Sequence, residues 1–253
     1  LFQAADGIRD ESLRLVGSEM CIRDSYGPCA FMDEFDQEKV FSSIDRGGRY
    51  AYRNQPGIAN WNLACLAQAM LPLLHEDRDQ AVALAQRGVD AFPQQFLAAY
   101  LRGMARKLGL ATLDEADGAL VEQLFSLMTE TTADFTLTFR GLTELAAGRA
   151  ATDIFSLDTA FDPWLEEWRE RRTRQGGDEA DHLAAMRLAN PAYIPRNHLV
   201  EETIAAAVDD GDLQPFHQLA QRLAHPFDYD PDERRYALPP RPEEVVRQTF
   251  CGT

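Results

Sequence analysis

Cysteine is scarce: Cys21, Cys29, Cys65 and Cys251 are the only four, and no two form a CxxC pair. That spacing excludes a zinc ribbon and a thioredoxin-type motif, and it fits reduced, cytoplasmic usage better than a secreted disulfide framework. Positive charge is also short. The chain has 25 lysines and arginines against 41 aspartates and glutamates, a net charge of −16. Nucleic-acid binders carry a basic face, and anionic membranes attract one, so neither partner is expected. No apolar run approaches the roughly 20 residues of a membrane helix. No alternating β-branched run reads as a strand. Residues 1–10 are polar without a basic start, so no signal peptide is read there.

The usual catalytic signatures are missing as well: no HExxH, Walker loop, GxSxG or GxGxxG occurs. His75, His182, His198, His217 and His225 are scattered, and none pairs at i,i+4, so no metal site is signalled. Glu166-Glu167 and Glu201-Glu202 fall on expected helices. Helical neighbours point about 100° apart, so these pairs read as solvated faces and not as acid–base couples. Trp164 and Trp168, four apart, read as core packing.

What the sequence does have is helix. Hydrophobic residues make up 45% of 253, enough for one large domain or two small ones. Helical periodicity covers 58–71, 79–91, 94–108, 114–131, 134–147, 161–174, 178–188, 196–208 and 213–224. Pro93 is expected to break the chain between the second and third of these. Gly109 is expected to stop the third, and Thr112 or Asp114 to cap the fourth. Residues 26–56 read as an irregular loop region, 57–224 as a helical body, and 225–253 as a tail laid over the surface. A tetratricopeptide-like look at 84–109 does not recur after Asp114, which discards a solenoid. The fold class is mainly α, either an all-α domain or the helical part of a larger α+β protein.

Residues 15–25, Leu-Val-Gly-Ser-Glu-Met-Cys-Ile-Arg-Asp-Ser, read as an in-frame translation of a transposon sequencing adapter. On that reading 1–25 is non-native, and evolved sequence begins near Tyr26.

The densest stretch follows. Tyr26-Gly27-Pro28-Cys29-Ala30-Phe31-Met32-Asp33 leads to Gly48-Arg49-Tyr50, Asn54-Gln55-Pro56 and Trp61-Asn62-Leu63. Composition alone leaves open whether this loop is functional or a buried connection. Later blocks are Asn190-Pro191, Ile194, Arg196-Asn197-His198 and Glu201, then Gly211-Asp212, Leu219 and Pro226-Phe227. The chain ends on Pro239-Pro240 and Gln248-Thr249-Phe250-Cys251-Gly252-Thr253. Together these resemble the selenoprotein O family, also called YdiU.

That resemblance implies the carboxyl-terminal lobe of a protein-kinase-like pseudokinase fold, without its amino-terminal lobe. It implies transfer of AMP from ATP, with Mg²⁺ or Mn²⁺, to Ser, Thr or Tyr hydroxyls of protein substrates in the bacterial cytoplasm. Tyr26 and Gly27 are then the cofactor-adjacent residues. The metal-holding aspartate of the family falls at Ser25, so this chain is expected to be an inactive fragment with no catalytic or metal residue of its own. The resemblance also makes Cys251 a redox candidate. Its activation-segment partner in some bacterial members falls at Phe41 here, with Cys29 a poor substitute. Two other readings stand beside this one: a non-catalytic helical interaction module using the acidic surface, and a redox enzyme working through Cys251.

Overall fold

The computed structural model describes residues 30–149 and 154–249. Eight α-helices and no strand occur among them: α1 Gln55–Leu74, α2 Arg78–Leu108, α3 Gly118–Glu130, α4 Phe135–Ala146, α5 Asp162–Arg174, α6 Glu179–Ala189, α7 Asn197–Ala205 and α8 Gln214–Leu223. The mainly helical expectation is met. An isolated antiparallel bridge pairs Glu34 with Asp134.

The helix starts follow local chemistry. Asp134, Asp158 and Asp178 each accept a backbone N–H just downstream, from Leu137, Ala160 and Ala180. Asp114 accepts from the N–H groups of Ala116 and Asp117, and Asp117 returns a bond to the Asp114 N–H. This reciprocal cap opens the 3-10 turn Glu115–Asp117 ahead of α3. At the other end of α2, Gly109 is left-handed, at φ +67°. The N–H of Leu110 reaches the Ala105 carbonyl at 2.8 Å and that of Gly109 reaches Arg106 at 3.3 Å. That pair of bonds is the Schellman termination.

Pro93 does not break the chain: α2 runs through it without interruption. An interior proline costs about 3 kcal/mol relative to alanine. Across it, however, the rings of Phe92, Phe96 and Tyr100 stay in helical register, with centroids 5.8 and 6.3 Å apart in turn. Helix formers on both sides carry the remaining turns. A second correction concerns α1. The stretch Tyr52–Leu74 carries Arg53 as its only charge, at its start, and its mean hydropathy reaches 1.2. By length and composition alone it is long and apolar enough to cross a membrane. Asn60, Asn62 and Gln68 interrupt it, so it does not read as an apolar run.

The described residues fall into two compact units. The first holds Ala30, 37–100 and 248–249 and contains the loop 37–51, the 3-10 turn Tyr52–Asn54, α1 and most of α2. The second holds Phe31–Asp36 and Leu101–Arg247. Its core sets Leu120, Leu124, Phe125 and Met128 of α3 beside Trp164, Leu165 and Trp168 of α5, all buried. The two indoles stack 6.0 Å apart. Their N–H groups donate to the carbonyls of Leu120 and Leu108, so neither buried donor is orphaned.

A second cluster joins Ile154, Phe155, Ala192, Tyr193 and Ala237, flanked by Tyr229, Tyr236 and Leu238. The expectation of a tail lying wholly on the surface therefore needs correcting. Ala237 is fully buried, and the 3-10 turn Pro231–Tyr236 leads into it. Apolar tail residues find a hydrophobic pocket there and bury in it.

Candidate functional site

Tyr26, Gly27, Ser25, Cys29 and Cys251 lie outside the described residues, as does the whole segment read as adapter. The neighbouring loop is described, and its sequence-singled residues converge. Asp45 accepts the Arg49 N–H at 2.9 Å through Oδ1 and the Tyr50 N–H at 2.8 Å through Oδ2. Gly48 takes φ +62°, which frees its carbonyl to accept from Asn54 Nδ2 at 2.8 Å. The guanidinium of Arg49 lies 5.2 Å from the centroid of the Trp61 ring. Backbone bonds from Tyr52 to Lys39 and from Arg53 to Gln37 close the loop on itself. Burial pushes the Tyr52 phenol up to about 12, with Tyr100 adding to it.

The tail meets this loop at Phe41. Thr249 Oγ1 donates to the Phe41 carbonyl at 2.8 Å, and Ser43 N–H donates to the Thr249 carbonyl at 2.9 Å. Cys251 follows two residues later. Thr249 thus lies beside the position where the resemblance would seat a partner cysteine, and a phenylalanine occupies that position.

In the second unit, Arg196 is fully buried at the start of α7. It donates to Asp33 Oδ1 and Asp134 Oδ2, each at 2.5 Å, and to the Ala237 carbonyl at 2.9 Å. Asn197 closes a two-bond clamp on Phe31, accepting its N–H at 2.9 Å and donating to its carbonyl at 2.7 Å. Phe35 N–H bonds Ala133, Phe135 N–H bonds Asp33, and the Phe35 ring stacks on Phe125 and Phe135. Burial raises the Asp134 carboxyl above its ordinary value against the pull of Arg196. Burial also lowers His198, whose Nδ1 is enclosed without a hydrogen-bond partner.

Lys107 is a further buried cation. Its ammonium donates to the Ala189 carbonyl at 3.0 Å and lies 4.8 Å from the Phe139 ring centroid. Burial lowers its pKa to about 8. Sequence reading singled out Asp33, Arg196 and Asn197 but not that Asp33 and Asp134 pair with Arg196, and it missed Lys107. Asp134 was read only as the first residue of the expected helix 134–147. Glu166 and Glu167 are exposed, as expected for a solvated face, while Glu202 pairs with Arg235. Among the described residues no three His, Cys, Asp or Glu come together to hold a metal ion.

Comparison with known proteins supplies the context. The family model described as protein adenylyltransferase SelO matches residues 18–224. A protein nucleotidyltransferase YdiU of Rhodopseudomonas palustris (strain BisB18) is 51% identical over 232 residues, covering 90% of this chain and 47% of the relative. Proteins of the same name from Bradyrhizobium sp. (strain ORS 278) and Methylorubrum extorquens (strain PA1) are 49% and 50% identical. Each covers 90% of this chain, and the match takes in 47% and 48% of those relatives. The chain spans about half the length of the curated relatives it matches. With a family match over most of its length and half of its residues identical to these relatives, the chain belongs to the protein adenylyltransferase SelO family.

Proposed function

We propose that this chain is the carboxyl-terminal, kinase-like helical portion of a protein adenylyltransferase, inactive by itself. The complete protein moves AMP from ATP to Ser, Thr or Tyr hydroxyls of other cytoplasmic proteins. The acceptor oxygen bonds the α-phosphorus, the bond to pyrophosphate breaks, and the hydroxyl proton passes to a base. ATP and Mg²⁺ or Mn²⁺ belong to that complete protein, since the described residues offer no donor set for the cation.

The observation that carries this reading is family membership over a chain half as long as its relatives. The uncharged helix α1 supports it. Leu63, Leu66, Met70 and Leu73 on that helix are exposed, Leu73 to 82%, a run of apolar surface that a further part of the protein would cover. Tyr26 and Gly27 are assigned beside the nucleotide site.

The test is label transfer. The complete protein, given α-labelled ATP with Mg²⁺ or Mn²⁺ and a bacterial protein extract, labels protein, and the 253-residue chain does not. A complete protein with its metal residues intact that labels nothing favours the non-catalytic interaction module, for which the acidic surface speaks.

A further inference from the structure

The exposed apolar face of α1 has no charged residue on its own helix. A second apolar surface, on the hairpin of α7 and α8 in the other compact unit, is different. Ile204, Val208, Leu213 and Phe216 are exposed there, Val208 to 76%. Leu199, Thr203 and Leu219 of the same two helices are buried, so these four are surplus to the core.

Their spacing brings them together. Ile204 and Val208 lie one turn apart where α7 widens into the π turn Ala206–Asp210. Gly211, left-handed at φ +66°, then turns the chain, and the Asp212 N–H bonds back to the Ala206 carbonyl at 3.0 Å. Leu213 follows directly on that tied residue. Phe216 stands three positions further on, in the first turn of α8. The Asp212 carboxylate accepts the Gln214 N–H at 2.9 Å and caps α8. The turn that carries the patch is thus held by its own hydrogen bonds.

The rim of the patch is acidic. Residues 201–221 hold Glu201, Glu202, Asp209, Asp210 and Asp212 and no lysine or arginine. Glu202 is paired with Arg235. The other four are exposed. An apolar centre inside a charged rim is the make-up of a surface that binds and releases a partner, whereas an uncharged face suits permanent burial. The sign of the rim selects the partner. It repels the phosphates of nucleic acid and anionic lipid. It also repels a second copy, which presents the same carboxylates. An amphipathic helix whose apolar face is bordered by lysine and arginine matches both the centre and the rim.

We infer that the α7–α8 hairpin is a docking surface for a basic amphipathic helix of another protein. Docking there needs no step of adenylyl transfer, so the inference goes beyond the function proposed above and stands apart from it.

The probe is a short fluorescein-labelled helical peptide with leucines on one face and lysines on the other. Its binding to the complete protein is followed by fluorescence anisotropy at low and at high salt. Wild type should bind in the micromolar range, and more weakly at high salt. Val208→Ser with Phe216→Ser should weaken binding about ten-fold, the loss expected of apolar anchors. Asp209→Asn with Asp210→Asn should weaken it at low salt and flatten the salt dependence. Glu166→Gln with Glu167→Gln removes the same charge from an exposed face of α5 and should change neither. No binding by wild type overturns the inference. So does equal binding of a peptide with glutamates in place of the lysines, or an equal effect of the α5 pair. A concentration-dependent dimer that the Val208 and Phe216 changes abolish also overturns it, since a second copy then covers the patch.

Discussion

Arg196 donates through Nη1 and Nη2 to the two carboxylate oxygens of Asp134, 62 residues earlier in the chain. The same carboxylate caps α4 through the Leu137 N–H. One residue thus starts a helix and neutralises a buried cation. Removing the cation strands two acidic groups, Asp134 and Asp33, in a poorly solvated site. Arg196→Ala is expected to destabilise the protein by about 3–5 kcal/mol, read as a lower urea midpoint at unchanged slope. Arg196→Lys recovers only part, because an ammonium cannot span both carboxylates as a fork does.

Lys107 gives the stability a pH signature. Its folded pKa of about 8 lies below the ordinary value of 10.5, with burial as the cause. Between those two values the unfolded chain binds the extra proton, so stability attributable to this side chain rises with pH through that window and is flat below it. Lys107→Met keeps the stem and removes the titration. The difference in unfolding free energy between wild type and Lys107→Met should shift in favour of wild type by up to about 3 kcal/mol from pH 8 to pH 10.5. A flat difference contradicts the burial argument.

Gly109 has two reasons to be glycine. Its φ is +67°, and a Cβ there would lie 2.4 Å from Met186 Sδ in the buried core. Gly109→Ala should cost about 2–4 kcal/mol from left-handed strain and overpacking. Gly148, also left-handed but with nothing within 4 Å of an added Cβ, should lose only the strain component on the same change. Thermal melts of the two variants compare them directly.

A hydrogen bond from Thr249 Oγ1 to the Phe41 carbonyl holds Thr249, two residues before Cys251, beside position 41. Phe41→Cys should therefore form a disulfide with Cys251 under mild oxidant, seen as a mass loss of about 2 Da that reductant reverses. Disulfides need Cα atoms within about 7 Å. Failure to form one would separate the chain end from the loop.

Much of the helical plan was legible because it is local. Apolar spacing located the helices, and Asp134, Asp178 and Gly109 marked starts and a stop through bonds spanning only a few residues. Pro93 misled because proline's cost is a local average, and the ring register of Phe92, Phe96 and Tyr100 outlasts it. Uncharged α1 escaped notice as a long apolar segment because its asparagines hide the average. The candidate site was legible in part. Gly48, Arg49, Asn54 and Trp61 were singled out together and do meet. The partners of Arg196 were not, since Asp33 is 163 residues away in the chain and no short-range pattern encodes that distance. Burial of Ala237 was hidden for the same reason: its neighbours come from Tyr193 and Ile154.

The most direct measurement is the uninterrupted coding sequence read upstream through position 25. The account predicts aspartate immediately before Tyr26, preceded by a glycine-rich loop and a lysine that complete a nucleotide site. A natural sequence with another residue there, and no such loop upstream, would contradict it.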